Sequence, residues 1–289
     1  MTEFSFGSAV TVTLERRPSV RLNESMAKTQ RELAFLRDLY VQDEWTRRFT
    51  ELVDKHIDLA DSENLLYINA GTGTHALVLD EKWGDKVDVF ASCEDEDQLN
   101  IARDKAAAVS SKVDFSMIRF EDDAFDAVLA DASFAKPGEI EDVIVDAVRV
   151  ARVGGDVAVF FPGSGSFGEV FSMLWEVLFN EDLGEHGHAA EAMITELPSL
   201  EQVEARAKRA GMVNIQTEVA NELFEYDDGK AFVTSPLVED FLLPRWLETL
   251  DDEDRERVTN KLAELVDAED HEMSFRFSVK MNLLTGEKG

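Results

Sequence analysis

The stretch that decides the fold is Leu65-Leu66-Tyr67-Ile68-Asn69-Ala70-Gly71-Thr72-Gly73-Thr74-His75. It begins as a short unbroken apolar run and stops at a glycine turn, the pattern of a parallel strand covered on both faces. Ala76 to Trp83 continues as a helix, and Val87 to Ala91 returns as a second strand. Such a β-loop-α-β unit leaves the free N–H groups of a helix N-terminus at the carboxyl edge of a sheet, where ligands bind in this architecture. Gly71 and Gly73 let the backbone come close to a ligand there, although the same spacing also serves an ordinary strand-to-helix turn.

Reading outward, Asp95 to Val109 is a helix with Leu99, Ala102 and Ala106 on one face. Val113 to Ile118, Phe125 to Ala130, Ile140 to Val150 and Val157 to Phe161 follow as strand, strand, helix and strand. Gly154-Gly155 reads as the turn between the last two. This alternation predicts an α/β protein with a doubly wound, mostly parallel sheet. Further on come a helix over Phe167 to Phe179, an irregular stretch from Asn180 to His188, and a helix opened by the Ser199/Gln202 capping pair and closed by Gly211. A strand at Val213 to Val219, helical sequence from Phe232 to Val266, and a final strand at Ser274 to Leu284 complete the chain. Upstream, Phe4 to Leu14 reads as a short strand, and Ser25 to His56 as two helices split near Gln42 and Asp43.

A chain of 289 residues supports one principal core with decoration. No apolar run approaches the length of a membrane span, and the first residues lack the basic start and cleavage site of a secretory signal. One cysteine, Cys93, excludes an internal disulfide and a cysteine-rich metal site, in keeping with a cytoplasmic setting. The net charge of −31 opposes phosphate backbones, so nucleic acid is not the expected partner. Dispersed as they are, the acids read as a solvated surface.

The order of segments and their junctions resemble a class I S-adenosylmethionine (SAM) dependent methyltransferase of the small-molecule type that includes ubiquinone and menaquinone methylating enzymes. The resemblance rests on residues 66–74, Gln98-Leu99-Asn100-Ile101-Ala102-Arg103, Phe125 to Asp131, Val148 to Phe160, and the closing Asn282 to Lys288. It implies a seven-stranded Rossmann-like sheet with SAM as cofactor. It also implies a division into N-terminal arm and helices (1–50), SAM-binding core (51–223), helical cap (224–273) and final core strand (274–289). The cofactor residues it implies are Asn69, Gly71, Thr72, Gly73, Glu94 and Asp131.

The chain departs from the family pattern in three places. Asn69 stands where the family carries an acid, and His75 where it carries a third glycine, its ring read as pointing to solvent. Cys93 takes the place of the ribose-binding acid, so the adjacent Glu94 is nominated, with Cys93 filling a small space. Met117 to Phe120 runs almost directly into Glu121-Asp122-Asp123, leaving no adenine acid; Phe120 is either a stacking ring or, more commonly for such a residue, a core anchor. Asp131 faces the ligand or caps a helix.

The expected activity is methyl transfer to a small, lipophilic molecule, with a catalytically inactive binding or regulatory module of the same fold as the alternative. No catalytic residue is assigned; Asp131, His186 and His188 are the bases that could serve an oxygen or nitrogen nucleophile. A metal is not expected, since His186 and His188 lack further ligands. Apolar residues of the cap, among them Phe241 and Trp246, would line an acceptor pocket, form a homodimer contact or, as is commoner at helical spacing, pack on the core, with Pro236 and Pro244 marking breaks.

Overall fold

The computed structural model describes residues 28–269 and 274–289, so the strand expected at Phe4 to Leu14 lies outside the described residues. Strands β1 (Asn64–Ile68), β2 (Asp88–Ser92), β3 (Asp114–Ser116), β4 (Phe125–Asp131), β5 (Ala151–Pro162), β6 (Met212–Tyr226) and β7 (Phe275–Lys288) form one sheet. Its order is β3-β2-β1-β4-β5-β7-β6. β1 to β5 pair in parallel, and β7 runs antiparallel to both β5 and β6. Every residue of β4 is buried, as a central strand with helices on both faces requires. The order of strands changes direction between β1 and β4, and this is the switch point at which the glycine turn after β1 sits.

Helices α1 (Gln30–Leu36) and α2 (Arg47–His56) are joined by a π-helical segment, Arg37–Thr46, into one continuous rod. Leu36 and Thr46, at the two joints, keep right-handed helical backbone angles, so the split expected near Gln42 and Asp43 does not occur. Packing overrides the local polarity. Arg37, Val41 and Trp45 are buried along one side, and Trp45 meets Phe49, Phe134, Phe167 and Phe224 at centroid distances of 5.2–6.1 Å.

The remaining helices are α3 (Thr74–Trp83), α4 (Glu96–Val109), α5 (Ile140–Val150), α6 (Gly168–Asn180), α7 (Gly187–Thr195) and α8 (Leu200–Ala210), with α9 (Gly229–Val233), α10 (Leu243–Trp246) and α11 (Asp252–Glu269) inserted between β6 and β7. Ser199 and Gln202 form the expected capping box, and Gly211 ends α8 in the left-handed region. Two local expectations are corrected. Gly154-Gly155 is not a turn between elements but an irregularity within β5, opposite a register shift between Phe125 and Ala127. A Cβ on Gly155 would stand 2.9 Å from the carbonyl oxygen of Asp126, so only glycine lets the strands stay paired there. The stretch from Asn180 to His188 is ordered into a 3₁₀ turn, Gly184–His186, leading into α7, anchored by buried Leu183, Ala190 and Ile194.

The helical insertion is interrupted by a second π-helical segment, Leu237–Leu242, which follows Pro236. Phe232, Leu237, Leu242, Leu243, Trp246 and Leu247 are buried in the protein's own core, while Phe241 is half-buried. Both π-helical segments border the carboxyl edge of the sheet. No helix among the described residues is long and apolar enough to cross a membrane.

Candidate cofactor and acceptor site

At that edge lies a cavity of about 420 Å³, within the range of small-molecule sites. Asn69, Glu94 and Asp131, at the ends of β1, β2 and β4, form its floor beside Asp95 and Gln98. Leu33, Ala34 and Arg37 close one side, and Phe134, Phe241, Pro244 and Arg245 close the other.

Arg37 dominates the floor. Its Nη1 donates to Glu94 Oε1 at 2.6 Å and to Gln98 Oε1 at 2.9 Å, and its guanidinium lies 5.2 Å from the centroid of Phe134. The other oxygen of Glu94 accepts the Gly71 N–H at 3.1 Å. Gln98 is fixed in turn because Asp95 caps α4 and accepts its backbone N–H at 2.8 Å. A guanidinium removed from water needs such a set of acceptors, since an unpaired buried charge is far costlier.

The glycine loop itself lies behind this layer. The position of a Cβ on Gly71 is 3.2 Å from Arg37 Nη2. Thr72 Oγ1 donates to Asp38 at 2.7 Å, and Lys105 donates to the same carboxylate and to Thr74. Gly73 is left-handed, with φ +80°, and a Cβ there would lie 2.7 Å from the ring of Phe115 and 2.9 Å from Ala102. Glycine is required at that position by helix packing as well as by backbone conformation. Of the nominated residues, the structure thus brings Asn69, Glu94 and Asp131 together on the cavity, and sets Gly71, Thr72 and Gly73 behind Arg37, Asp38 and Phe115.

The departures from the family pattern acquire physical reasons. Asn69 has φ +56°, a conformation that asparagine tolerates well, and its Nδ2 donates to the Asp131 carbonyl at 3.1 Å, which an aspartate side chain could not do. His75 does not point to solvent. It is buried, with Nδ1 3.3 Å from Tyr67 Oη and Nε2 3.3 Å from Asp54 Oδ1, because α2 lies across the start of α3. Cys93 is buried in the core, and burial followed by the charge of Glu94 raises its thiol pKa to about 12, which makes it a spacer and not a nucleophile. Phe120 meets Phe90 and Phe125 edge-on, as a core anchor.

Asp131 does not cap a helix, since α5 starts only at Ile140. Its Oδ1 accepts the Ser133 N–H at 2.7 Å, turning the chain back across the cavity. Burial raises its pKa to about 6, against the opposing pull of Arg37 and the Ser133 hydrogen bonds. His186 lies elsewhere, 3.1 Å from Thr249 Oγ1, and His188 is exposed. Among the described residues no cluster of His, Cys, Asp or Glu could hold a metal ion.

Sequence reading missed Arg37, Gln98, Phe134, Asp240 and Arg245. Arg37 had a signal, as a charge in step with Val41, Trp45 and Phe49 on the buried side of a helix. Asp240 and Arg245 had none, because only tertiary packing folds their segment over the cavity.

This strand order, with a ligand-sized cavity over the first βα turn, defines the Rossmann-like fold of the class I SAM-dependent methyltransferases. Residues 66–159 match the family model of the methyltransferase domain. The YcgJ protein from Bacillus subtilis has a similar structure, at 15% identity and a TM-score of 0.55 over 84% of this chain and 98% of that one. A candidate methyltransferase from Bacillus halodurans is similar at 14% identity and a TM-score of 0.53, over 84% of this chain and 99% of that one. No curated protein matches the sequence. Over residues 66–159 the chain is thus similar to the methyltransferase domain, and its fold is that of the class I SAM-dependent methyltransferases, whose cofactor is S-adenosylmethionine. The cavity fits that cofactor in size and in its donor set: a carboxylate at the end of β2, a guanidinium beside the first glycine, and polar groups at the ends of β1 and β4.

Proposed function

We propose that the protein transfers a methyl group from SAM to a small molecule with an apolar body. The observation that carries this reading is the convergence of Arg37, Asn69, Glu94 and Asp131 on one cavity at the switch point of the sheet. Glu94 would accept hydrogen bonds from the ribose hydroxyls, Arg37 would pair with the methionine carboxylate, and Asn69 and Asp131 would border the methyl end. When bound, SAM supplies an electrophilic methyl group, so the protein's task is chiefly to position the acceptor and exclude water. Above about pH 6 the Asp131 carboxylate is ionised and can take the proton of an oxygen or nitrogen nucleophile. Residues 51–223 with 274–289 act as the cofactor-binding core, and 224–273 as the cap over the acceptor.

One observation favours a second reading, a non-catalytic binding or regulatory module. Arg37 covers Gly71 and already engages Glu94, so a cofactor must share or displace that ion pair. Calorimetric titration with SAM and with its demethylated product decides between the two. Saturable binding of both, with turnover on a panel of phenols, amines and acids, supports the enzyme. Absence of binding at millimolar concentration overturns it in favour of the module.

A further inference from the structure

The cap side of the cavity holds two charged groups that the fold pairs incompletely. Asp240 lies on the π-helical segment Leu237–Leu242, and its side chain is only 8% exposed. One of its oxygens accepts from Lys28 at 2.6 Å; the other, Oδ2, is buried without any hydrogen-bond partner among the described residues. Arg245, on α10, reaches back over Phe134, with its guanidinium 5.4 Å from the ring centroid and Nη1 donating to the Phe134 carbonyl. No carboxylate among the described residues lies within ion-pair distance of it, although Asp131, Glu139 and Asp240 line the same cavity. Arg37 holds its own cation beside the same ring, so Phe134 is shared by a guanidinium that is ion-paired with Glu94 and one that has no ion pair. Burial, and then the positive charge of Arg37, push the Arg245 pKa down, against the weaker opposing pull of Glu139, Glu94 and Glu248.

A buried acceptor without a donor and a guanidinium without an anion in contact are each costly, and no hydrogen bond or ion pair joins the two. A ligand that presents an anion to one and an N–H or O–H to the other would relieve both. Charge selects the anion. A single guanidinium that contacts no carboxylate, in a ring of acids that offset its charge only at a distance, suits a monoanion and repels a phosphate dianion, and its planar fork matches a carboxylate. Leu33, Ala135, Val143, Phe241 and Pro244 provide an apolar wall for the rest of the molecule.

Building on the methyltransferase reading, we infer that the acceptor is a small amino or hydroxy acid with an apolar side chain, its carboxylate held by Arg245 and its amino or hydroxyl hydrogen by Asp240.

The test is calorimetric, on the full chain, with L-phenylalanine, L-phenyllactate, phenylacetate, phenethylamine and phenyl phosphate as probes, with and without the demethylated cofactor product. Expected is binding of L-phenylalanine or L-phenyllactate on the order of tenfold tighter than phenylacetate or phenethylamine, as charged hydrogen bonds of this kind are worth. Which of the two binds better tells an amino from a hydroxy acid. Arg245→Gln should reduce the preferred acid to the level of phenethylamine, Arg245→Lys should restore part of the loss, and Asp240→Asn should reduce it to the level of phenylacetate. Equal binding of all probes, tightest binding of phenyl phosphate, or affinities that Arg245→Gln and Asp240→Asn leave unchanged would overturn the inference. So would loss of cofactor-product binding in Arg245→Gln, which would put this arginine at the cofactor end. Failure of the methyltransferase reading shows separately, as no binding of the cofactor product by the wild-type chain, while the acid selectivity is read without turnover.

Discussion

The sheet has a cavity at each edge, and the two are alike in size but differ in whether their acids are paired with cations. The one at the carboxyl edge measures about 420 Å³ and that at the amino edge about 370 Å³. The second is lined by Asp58, Asp61, Asp156 and Glu287, with His56 and no lysine or arginine. The first places Arg37 and Arg245 among its acids and buries an ion pair in its floor. In a chain of net charge −31 an acid-lined hollow is background, whereas a buried cation has to be held by dedicated partners. Among the described residues none of the amino-edge acids is ion-paired: part of the rise in the Asp156 pKa comes from burial and the rest from Glu287, Asp58 and Asp61. Volume alone therefore does not separate a site from a surface fold, and the pattern of compensated charge does.

The strongest way to break this contrast is Arg37→Ala. It leaves Glu94 and Asp131 without their cation and should lower stability by about 3 kcal/mol, the usual cost of removing one partner of a buried pair. A urea midpoint at pH 7 unchanged from wild type would show that the floor is no more organised than the opposite edge.

Asp131 gives the next largest effect. Its folded pKa of about 6 lies above the ordinary 3.8, so between those values the folded chain binds more protons than the unfolded one. The ionised carboxylate therefore destabilises the fold, and stability from this group falls as pH rises through that window. Asp131→Asn, which can still accept from Ser133, should be more stable than wild type by about 1–2 kcal/mol at pH 8, the gain shrinking towards pH 4. Equal urea midpoints at both pH values would contradict it.

The smallest effect belongs to the amino edge. Asp156 is also raised, and its stability contribution likewise falls with rising pH, but its exposure to solvent screens the repulsion. Asp156→Asn should stabilise by no more than about 0.5 kcal/mol at pH 7, and less in high salt. A gain as large as that from Asp131→Asn would erase the distinction between the two edges.

Much of the fold was legible because its signals are local. The apolar run of β1, the glycine turn, the Ser199 cap and the alternation of strands with helices each depend on residues a few positions apart. What was misread depended on distant partners. Gln42 and Asp43 look like a helix break, yet Trp45 is held by aromatic residues from β6 and the loops beyond β4 and β5, and the rod continues through a π-helical segment. His75 looks exposed until Asp54 and Tyr67 enclose it. The floor of the site was partly legible, since Asn69, Glu94 and Asp131 end the strands that the sequence marks out. Its cations were not: Arg37 approaches from a helix before the sheet begins, and Arg245 from an insertion near the end of the chain.

By itself the sequence determined the layered α/β plan and the place of the glycine turn, because hydrophobic period and turn chemistry are properties of neighbouring residues. Only the tertiary structure decided what stands over that turn. Whether a charge is buried, paired or left open depends on which distant segments meet, and here Arg37 is neutralised by Glu94, Asp240 is paired with Lys28 through one oxygen only, and Arg245 lines the cavity without an ion pair.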